Sequence, residues 1–314
     1  MTSWEHDSKP NSEIIRVVLR QGAESRRLIV KQLDSDRIDG RFSRSGEIFW
    51  RQRFAAQIEA LRACASSSDA RLAERTPLPL TWDASTLSLC MDEIPGCKLD
   101  ALFDRAVRWA PPETHWRSAL LACREAGEWL AAFHALDTAI LGTCDEVDGL
   151  SPWADYCVSR LERIMSCGHL DRGTRQNISE KYRQMTQDRG WDAPRVLVHN
   201  DLQSDNILYT EHGIVVLDFT GVALGAPEWD AIKFTQSISK WALTRPFVAG
   251  RIEKLMGAFL GGYGQAFDQG GAAWRSWEFA WALDKLSDLI EDGLILRPTL
   301  GVRLRTRALL RLVL

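Results

Sequence analysis

A chain of 314 residues, 45% hydrophobic and 26% charged, has the makeup of an ordinary soluble globular protein and is long enough for two compact lobes or one large domain. Its formal net charge of -3 argues against a general nucleic-acid binder, which carries a strong basic excess. The longest apolar runs, such as Ile214-Val215-Val216-Leu217, are strand-sized and far short of the roughly 20 residues that cross a bilayer, so no membrane partner is expected.

In chain order, Met1 to Asp7 have neither a basic start nor an apolar core, and no signal peptide is expected there. The seven cysteines form no C-x-x-C pair, which suits reduced thiols in the cytoplasm better than a disulfide framework or a zinc site. Ile14 to Leu19 and Arg27 to Leu33 are β-branched-rich runs on either side of a polar, glycine-containing link, the pattern of a hairpin. Phe54, Ile58 and Leu61 recur at helical spacing between Glu47 and Cys64. Short strands are expected at 78–82 and 86–91, and Gly96 then breaks the pattern. Beyond it Trp116, Leu120, Cys123, Gly127, Leu130 and His134 mark one face of a long helix, and helical texture returns at 153–167 and 174–188. One β-rich island follows, with Val196-Leu197-Val198, Ile207-Leu208-Tyr209 and Ile214 to Leu217, the last two joined by a turn at 210–213. From Asp230 the chain reads as helix to its end, where Arg303 to Arg311 among leucines predict an amphipathic helix packed on the body of the protein. The thirteen tryptophans are read as core. The simplest architecture is α+β: a small β-rich lobe at 1–91, a connector at 92–97 and a larger, mainly helical lobe at 98–314.

The island also carries the chemistry. In Val198-His199-Asn200-Asp201-Leu202-Gln203-Ser204-Asp205-Asn206-Ile207-Leu208, and again in Val216-Leu217-Asp218-Phe219, polar residues lie just past or between short apolar strands, which hold them at fixed points. Phosphoryl transfer asks for a carboxylate that orients the acceptor hydroxyl and takes its proton, and for oxygen ligands that hold magnesium against the phosphates. Asp201 suits the first task and Asn206 with Asp218 the second; because the transition state is loose, Asp201 is expected to act mainly by positioning.

This segment, His199-x-Asp201-x-x-x-x-Asn206 with Asp218 after a hairpin, resembles the catalytic loop and metal-binding Asp of the aminoglycoside phosphotransferase and choline kinase-like family, which shares the protein-kinase fold. Gly225-Ala226-Pro227-Glu228-Trp229-Asp230 resembles that family's Gly-x-Pro-x-x-Asp run. The resemblance implies a small-molecule kinase using ATP and Mg2+ with a hydroxyl acceptor, and assigns roles elsewhere. Lys31 would grip the α- and β-phosphates, and Glu47 or Glu59 would pair with it, Glu47 being preferred. Asp92, Glu93 and Ile94 would meet the adenine through their backbone. His199 and Asp230 would support the loop, and His134 would be a satisfied core histidine.

The chain departs from the family at Asn200 and at Gln203-Ser204-Asp205, where relatives often carry Gly and His-Pro-Gly, and it has no Gly-rich loop. The first strand is expected to be very short, with Ser8 to Ser12 serving as the nucleotide loop and Ser12 as its contact. Asp284, Asp288 and Asp292 step by four along one helix, either as a solvated face or as a receiver of a cationic acceptor. Two rival readings remain: a catalytically silent nucleotide-binding or regulatory module, and a protein kinase. His199-Asn200-Asp201 and Thr220, where a protein kinase has His-Arg-Asp and the Gly of Asp-Phe-Gly, speak against the latter. The oligomeric state is open.

Overall fold

The computed structural model describes residues 3–9, 12–21, 24–33, 47–141, 153–166, 168, 170–188, 195–264, 267–294 and 299–314. Strands β1 (Ser3–Lys9), β2 (Ser12–Gln21) and β3 (Glu24–Leu33) pair antiparallel in sequence. Helix α1 (Glu47–Ala65) and the single turn α2 (Ala70–Ala73) lead to β4 (Pro79–Asp83) and β5 (Ser88–Asp92). The last two complete a five-stranded sheet in the order β1-β2-β3-β5-β4. The first strand is not very short: its seven residues pair with β2 from Ser3↔Val18 to Lys9↔Ser12, since a hairpin gives an edge strand a complete ladder without a long approach. Trp50, Phe54, Ile58 and Leu61 of α1 are buried, one apolar stripe at steps of four and three.

After the connector come β6 (Cys97–Lys98), α3 (Leu99–Ala106) and α4 (Glu113–His134). The chain continues with α5 (Trp153–Ser166), α6 (Arg172–Asp188) and β7 (Val196–Val198), then β8 (Ile207–Thr210), β9 (Gly213–Val216) and β10 (Ala223–Gly225). The helices α7 (Pro227–Thr244), α8 (Ala249–Tyr263), α9 (Ala272–Glu291) and α10 (Leu300–Val313) close it. The β8–β9 hairpin is joined by β6, and β7 pairs with β10. Strands of two and three residues, β6 and β10 among them, are too short to leave a periodic signal. Proline in the first turn of α7, followed by Glu228 and Asp230, is the composition a helix start favours.

Trp129, Trp153 and Trp229 are fully buried, whereas Trp4, Trp82 and Trp109 are exposed, so the tryptophans are not all core. In α10, Leu309 and Val313 are buried while Arg303, Arg305, Arg307 and Arg311 face outward. Among the described residues no helix is long and apolar enough to cross a membrane.

Helices α4 and α8 cross unusually closely. A Cβ on Gly127 would stand 2.0 Å from the Phe259 carbonyl oxygen, and one on Gly262 would stand 2.1 Å from that of Arg124. Each helix lays its backbone against a glycine of the other.

The thiols divide by burial. Burial pushes Cys64 up to about 12 and lifts Cys123 and Cys157 well above the ordinary thiol range. Cys90 and Cys97 are half-buried. At neutral pH, alkylation of the folded protein should therefore spare Cys64, Cys123 and Cys157, which should label only after denaturation; peptide mass mapping before and after urea checks this.

Candidate active site

The loop after β7 is anchored from beneath. Asp230, wholly buried near the start of α7, accepts from the backbone amides of His199 (2.6 Å) and Asn200 (2.8 Å). His134, at the end of α4, donates from Nε2 to the same carboxylate at 3.3 Å and meets the Tyr263 hydroxyl through Nδ1 at 2.9 Å. A motif aspartate, a core histidine and a tyrosine from three helices thus hold two consecutive loop amides. Burial pushes the Tyr263 hydroxyl up to about 12, so it stays protonated as a donor to His134.

His199 is buried with its Nε2 donating to the Leu217 carbonyl at 2.9 Å, just before Asp218. Trp129 and Phe219 enclose its ring edge-on, and burial lowers its pKa, so the imidazole is neutral and joins the two functional segments. Asn200 is left-handed (φ 63°), a conformation asparagine tolerates better than most side chains, and its Oδ1 accepts from Trp229 Nε1 at 2.6 Å. The reversal there delivers Asp201.

Asp201 Oδ2 accepts from Asn206 Nδ2 at 2.7 Å, and the same nitrogen reaches the Asp201 carbonyl at 2.9 Å. Gln203 Nε2 donates to Oδ1 at 2.5 Å. The Asn206 carbonyl in turn accepts from the Leu217 amide at 2.8 Å, which extends the β8–β9 ladder and brings Asp218 beside the loop. Asp218 is also left-handed (φ 60°). Its carboxylate accepts from Lys31 Nζ at 2.5 Å and from Thr220 Oγ1 at 2.7 Å. Burial pushes the Asp218 carboxyl up, but Lys31 and the Thr220 hydroxyl outweigh it and hold the group well below the usual carboxylate range.

Asp201, Asn206, Asp218 and Lys31 are therefore brought together from two loops and a strand. Of the two helix glutamates expected beside Lys31, Glu59 is not among its partners in the described residues. Lys31 instead bonds Asp218 and Thr220, and Thr220 Oγ1 lies 3.1 Å from Gln57 Oε1, on the buried face of α1. Glu59 points outward and meets Arg62 at 3.4 Å, while the side chain of Glu47 lies outside the described residues. Helical phase explains the outcome for Glu59: Gln57 sits between the buried Ala56 and Ile58, whereas Glu59 falls on the solvent side.

Other expected residues are placed as follows. Ser12 opens β2 and is buried; residues 10 and 11 of the expected nucleotide loop lie outside the described residues. Asp92 makes a two-pronged pair with exposed Arg26 (2.7 and 2.9 Å), and Glu93 gives its amide to the Arg27 carbonyl at 2.9 Å and its carboxylate to Arg16 at 3.4 Å. Ile94 is half-buried. On α9, Asp284 accepts from Arg160 at 3.1 Å and meets Lys285 at 3.4 Å, Asp288 meets Lys285 at 2.8 Å, and Asp292 lies exposed at the helix end. The expected acidic face is thus neither an open anionic surface nor a merely solvated one, because cations from α5 and α9 compensate its first two carboxylates. Lys233, unremarked in the sequence, stands 3.8 Å from Asp201 Oδ1. Its signal was available: a lysine between buried apolar neighbours, three residues after the motif aspartate.

The donors fit magnesium. Asn206 spends its nitrogen on Asp201 and keeps its amide oxygen, and Asp218 already holds a cation, the Lys31 ammonium. Both offer hard oxygen, and phosphate and water would complete the shell. Among the described residues no group of three or more His, Cys, Asp or Glu gathers as a metal site.

The kinase-like, two-lobed α+β fold recurs in solved structures. The GDP and kanamycin complex of the aminoglycoside phosphotransferase APH(2")-IIIa matches at 10% identity, over 99% of this chain and 92% of that one, with a TM-score of 0.63. A choline/ethanolamine kinase family protein from Mesorhizobium loti matches at 16% identity, over 99% and 87%, with a TM-score of 0.59. A thermostable mutant of the aminoglycoside phosphotransferase APH(4)-Ia, in complex with ADP and hygromycin B, matches at 17% identity, over 99% and 94%, with a TM-score of 0.59. No curated protein matches by sequence. The model of the phosphotransferase enzyme family matches residues 14–280, most of the chain, and the chain therefore belongs to the phosphotransferase enzyme family.

Proposed function

We propose that this protein is a small-molecule kinase that moves the γ-phosphoryl group of ATP, with Mg2+, to an alcohol. The observation that carries the reading is that Asp201 bonds Asn206 and Lys31 bonds Asp218, with the Leu217 amide on the Asn206 carbonyl setting the two pairs side by side. In this reading residues 1–91 hold the nucleotide, 92–97 connect, and 98–314 supply the loop and the acceptor site. Asn206 and Asp218 would hold the metal, which supplies charge neutralisation between the phosphates. Lys31 moves from Asp218 to the α- and β-phosphates when nucleotide enters. Asp201 orients the acceptor hydroxyl and takes its proton as the new oxygen–phosphorus bond forms and the β–γ bridge breaks, releasing ADP. Thr220, backed by Gln57, helps to position Lys31.

The test has two stages. Saturation with Mg-ATP at about 100 times its dissociation constant should add roughly 2.7 kcal/mol of stability. ADP release should then be screened against hydroxylated amines, sugars, sugar acids and antibiotics. Nucleotide binding with no turnover on any alcohol would favour the silent module. Lys31→Met should raise KM for ATP by about ten- to a hundredfold, since a hydrogen bond to a charged group is worth about 1.5–3 kcal/mol; steady-state kinetics with ATP varied would show it.

A further inference from the structure

From Asp201 a series of side-chain contacts runs to α9, alternating cations with carboxylates. Lys233, one turn beyond Trp229 on α7, is 12% exposed, gives Nζ to the Asn200 carbonyl at 2.5 Å and lies 5.0 Å over the Trp229 ring. Trp229 meets Tyr156 edge-on at 5.3 Å, and Arg160 covers the Tyr156 face at 3.7 Å. Arg160 then reaches Asp284, and Lys285 joins Asp284 to Asp288. Arg160 and Lys285 answer the two α9 carboxylates. Among the described residues Lys233 makes one hydrogen bond, to Asn200, and its nearest carboxylate, Asp201 at 3.8 Å, is beyond hydrogen-bond distance and already accepts from Gln203 and Asn206. A sheltered ammonium with three donors and so little compensation is costly unless a ligand completes it. Burial pulls the Lys233 pKa down, and Lys285 adds to this, against the pull of Asp201, Asp284 and Asp230.

We propose that the acceptor is an alcohol bearing an anionic group, a hydroxy acid or sugar acid, whose carboxylate is received by Lys233 and Lys285 while its hydroxyl faces Asp201. This rests on the kinase reading above. A polycationic acceptor would meet like charge at Lys233 and find the α9 acids already taken.

The probes are matched carbon skeletons: gluconate and glucuronate against sorbitol and glucose, with glucosamine and kanamycin as the amines. Thermal stabilisation is measured on the protein saturated with Mg-ADP, and turnover by ADP release with Mg-ATP. The acids should stabilise the complex and show kcat/KM at least tenfold above their neutral counterparts. Lys285→Met and Lys233→Met should erase that preference, and retained stabilisation by Mg-ADP certifies that each variant is folded. Should Lys233→Met fail to fold, Lys285→Met carries the test. An amine that ranks first, acids that neither stabilise nor turn over, or lysine variants that keep the wild-type ranking would each overturn the proposal. If the amines rank first while Mg-ATP is bound and consumed, the kinase reading stands alone. Absence of any stabilisation by nucleotide sinks both.

Discussion

Asp201→Ala should lower kcat by about 10²- to 10⁴-fold, the span over which a positioned proton acceptor contributes, while leaving the affinity for Mg-ATP within a few-fold of wild type. The split follows from the contacts. Asp201 is tied to Gln203 and Asn206 on the acceptor side, whereas Lys31 and Asp218 form a separate pair joined to α1 through Thr220 and Gln57. Removing the carboxylate deprives Asn206 of a partner for one side-chain hydrogen, but the Asp201 carbonyl still holds the same amide nitrogen at 2.9 Å. Asp201→Asn is the informative companion: it sets an NH2 against the donor of Gln203 or Asn206, so it loses positioning contacts along with the proton acceptor and should fall nearly as far. Pre-steady-state ADP formation with saturating nucleotide separates this from a binding defect. Turnover that survives either change would remove Asp201 from the chemistry.

Asp230→Ala should cost about 3–5 kcal/mol of folding stability, because removing the acceptor strands buried donors with no water to replace it. The His199 and Asn200 amides and His134 Nε2 all end on this one side chain. Urea denaturation followed by tryptophan fluorescence gives the number. The same loss should show in rate, since both amides belong to the turn that delivers Asp201; His134→Ala, which keeps both of them bonded, should be milder on each measure. A destabilisation below about 1 kcal/mol would mean the loop is held by something else.

Much of this was readable in the chain. The long amphipathic runs, such as Phe54-Ile58-Leu61 and Trp116 to His134, announce their helices because a buried stripe constrains every turn. The island was legible because its polar residues interrupt β-branched runs at fixed intervals, and its companion at Gly225 to Asp230 names the aspartate that holds the loop. What escaped were facts that depend on a neighbour from elsewhere. Three acids on one face of α9 look like an anionic surface until Arg160 arrives from α5. Glu59 looked like a partner for Lys31 because a glutamate is the expected chemistry, yet its phase on α1 turns it outward while Gln57 faces Thr220. Strands as brief as β6 and β10 exist only because another strand lies beside them.

The glycines at the α4–α8 crossing bear on this machinery from a distance. Tyr263, one residue beyond Gly262, reaches His134, and His134 reaches Asp230, so the thickness of that seam sets how far the tyrosine can lean. A single methyl group inserted at either glycine would act as a shim, prying α8 outward and slackening the loop's suspension without touching nucleotide or acceptor. Catalytic alignment in this protein depends in part on a place where nothing may be added.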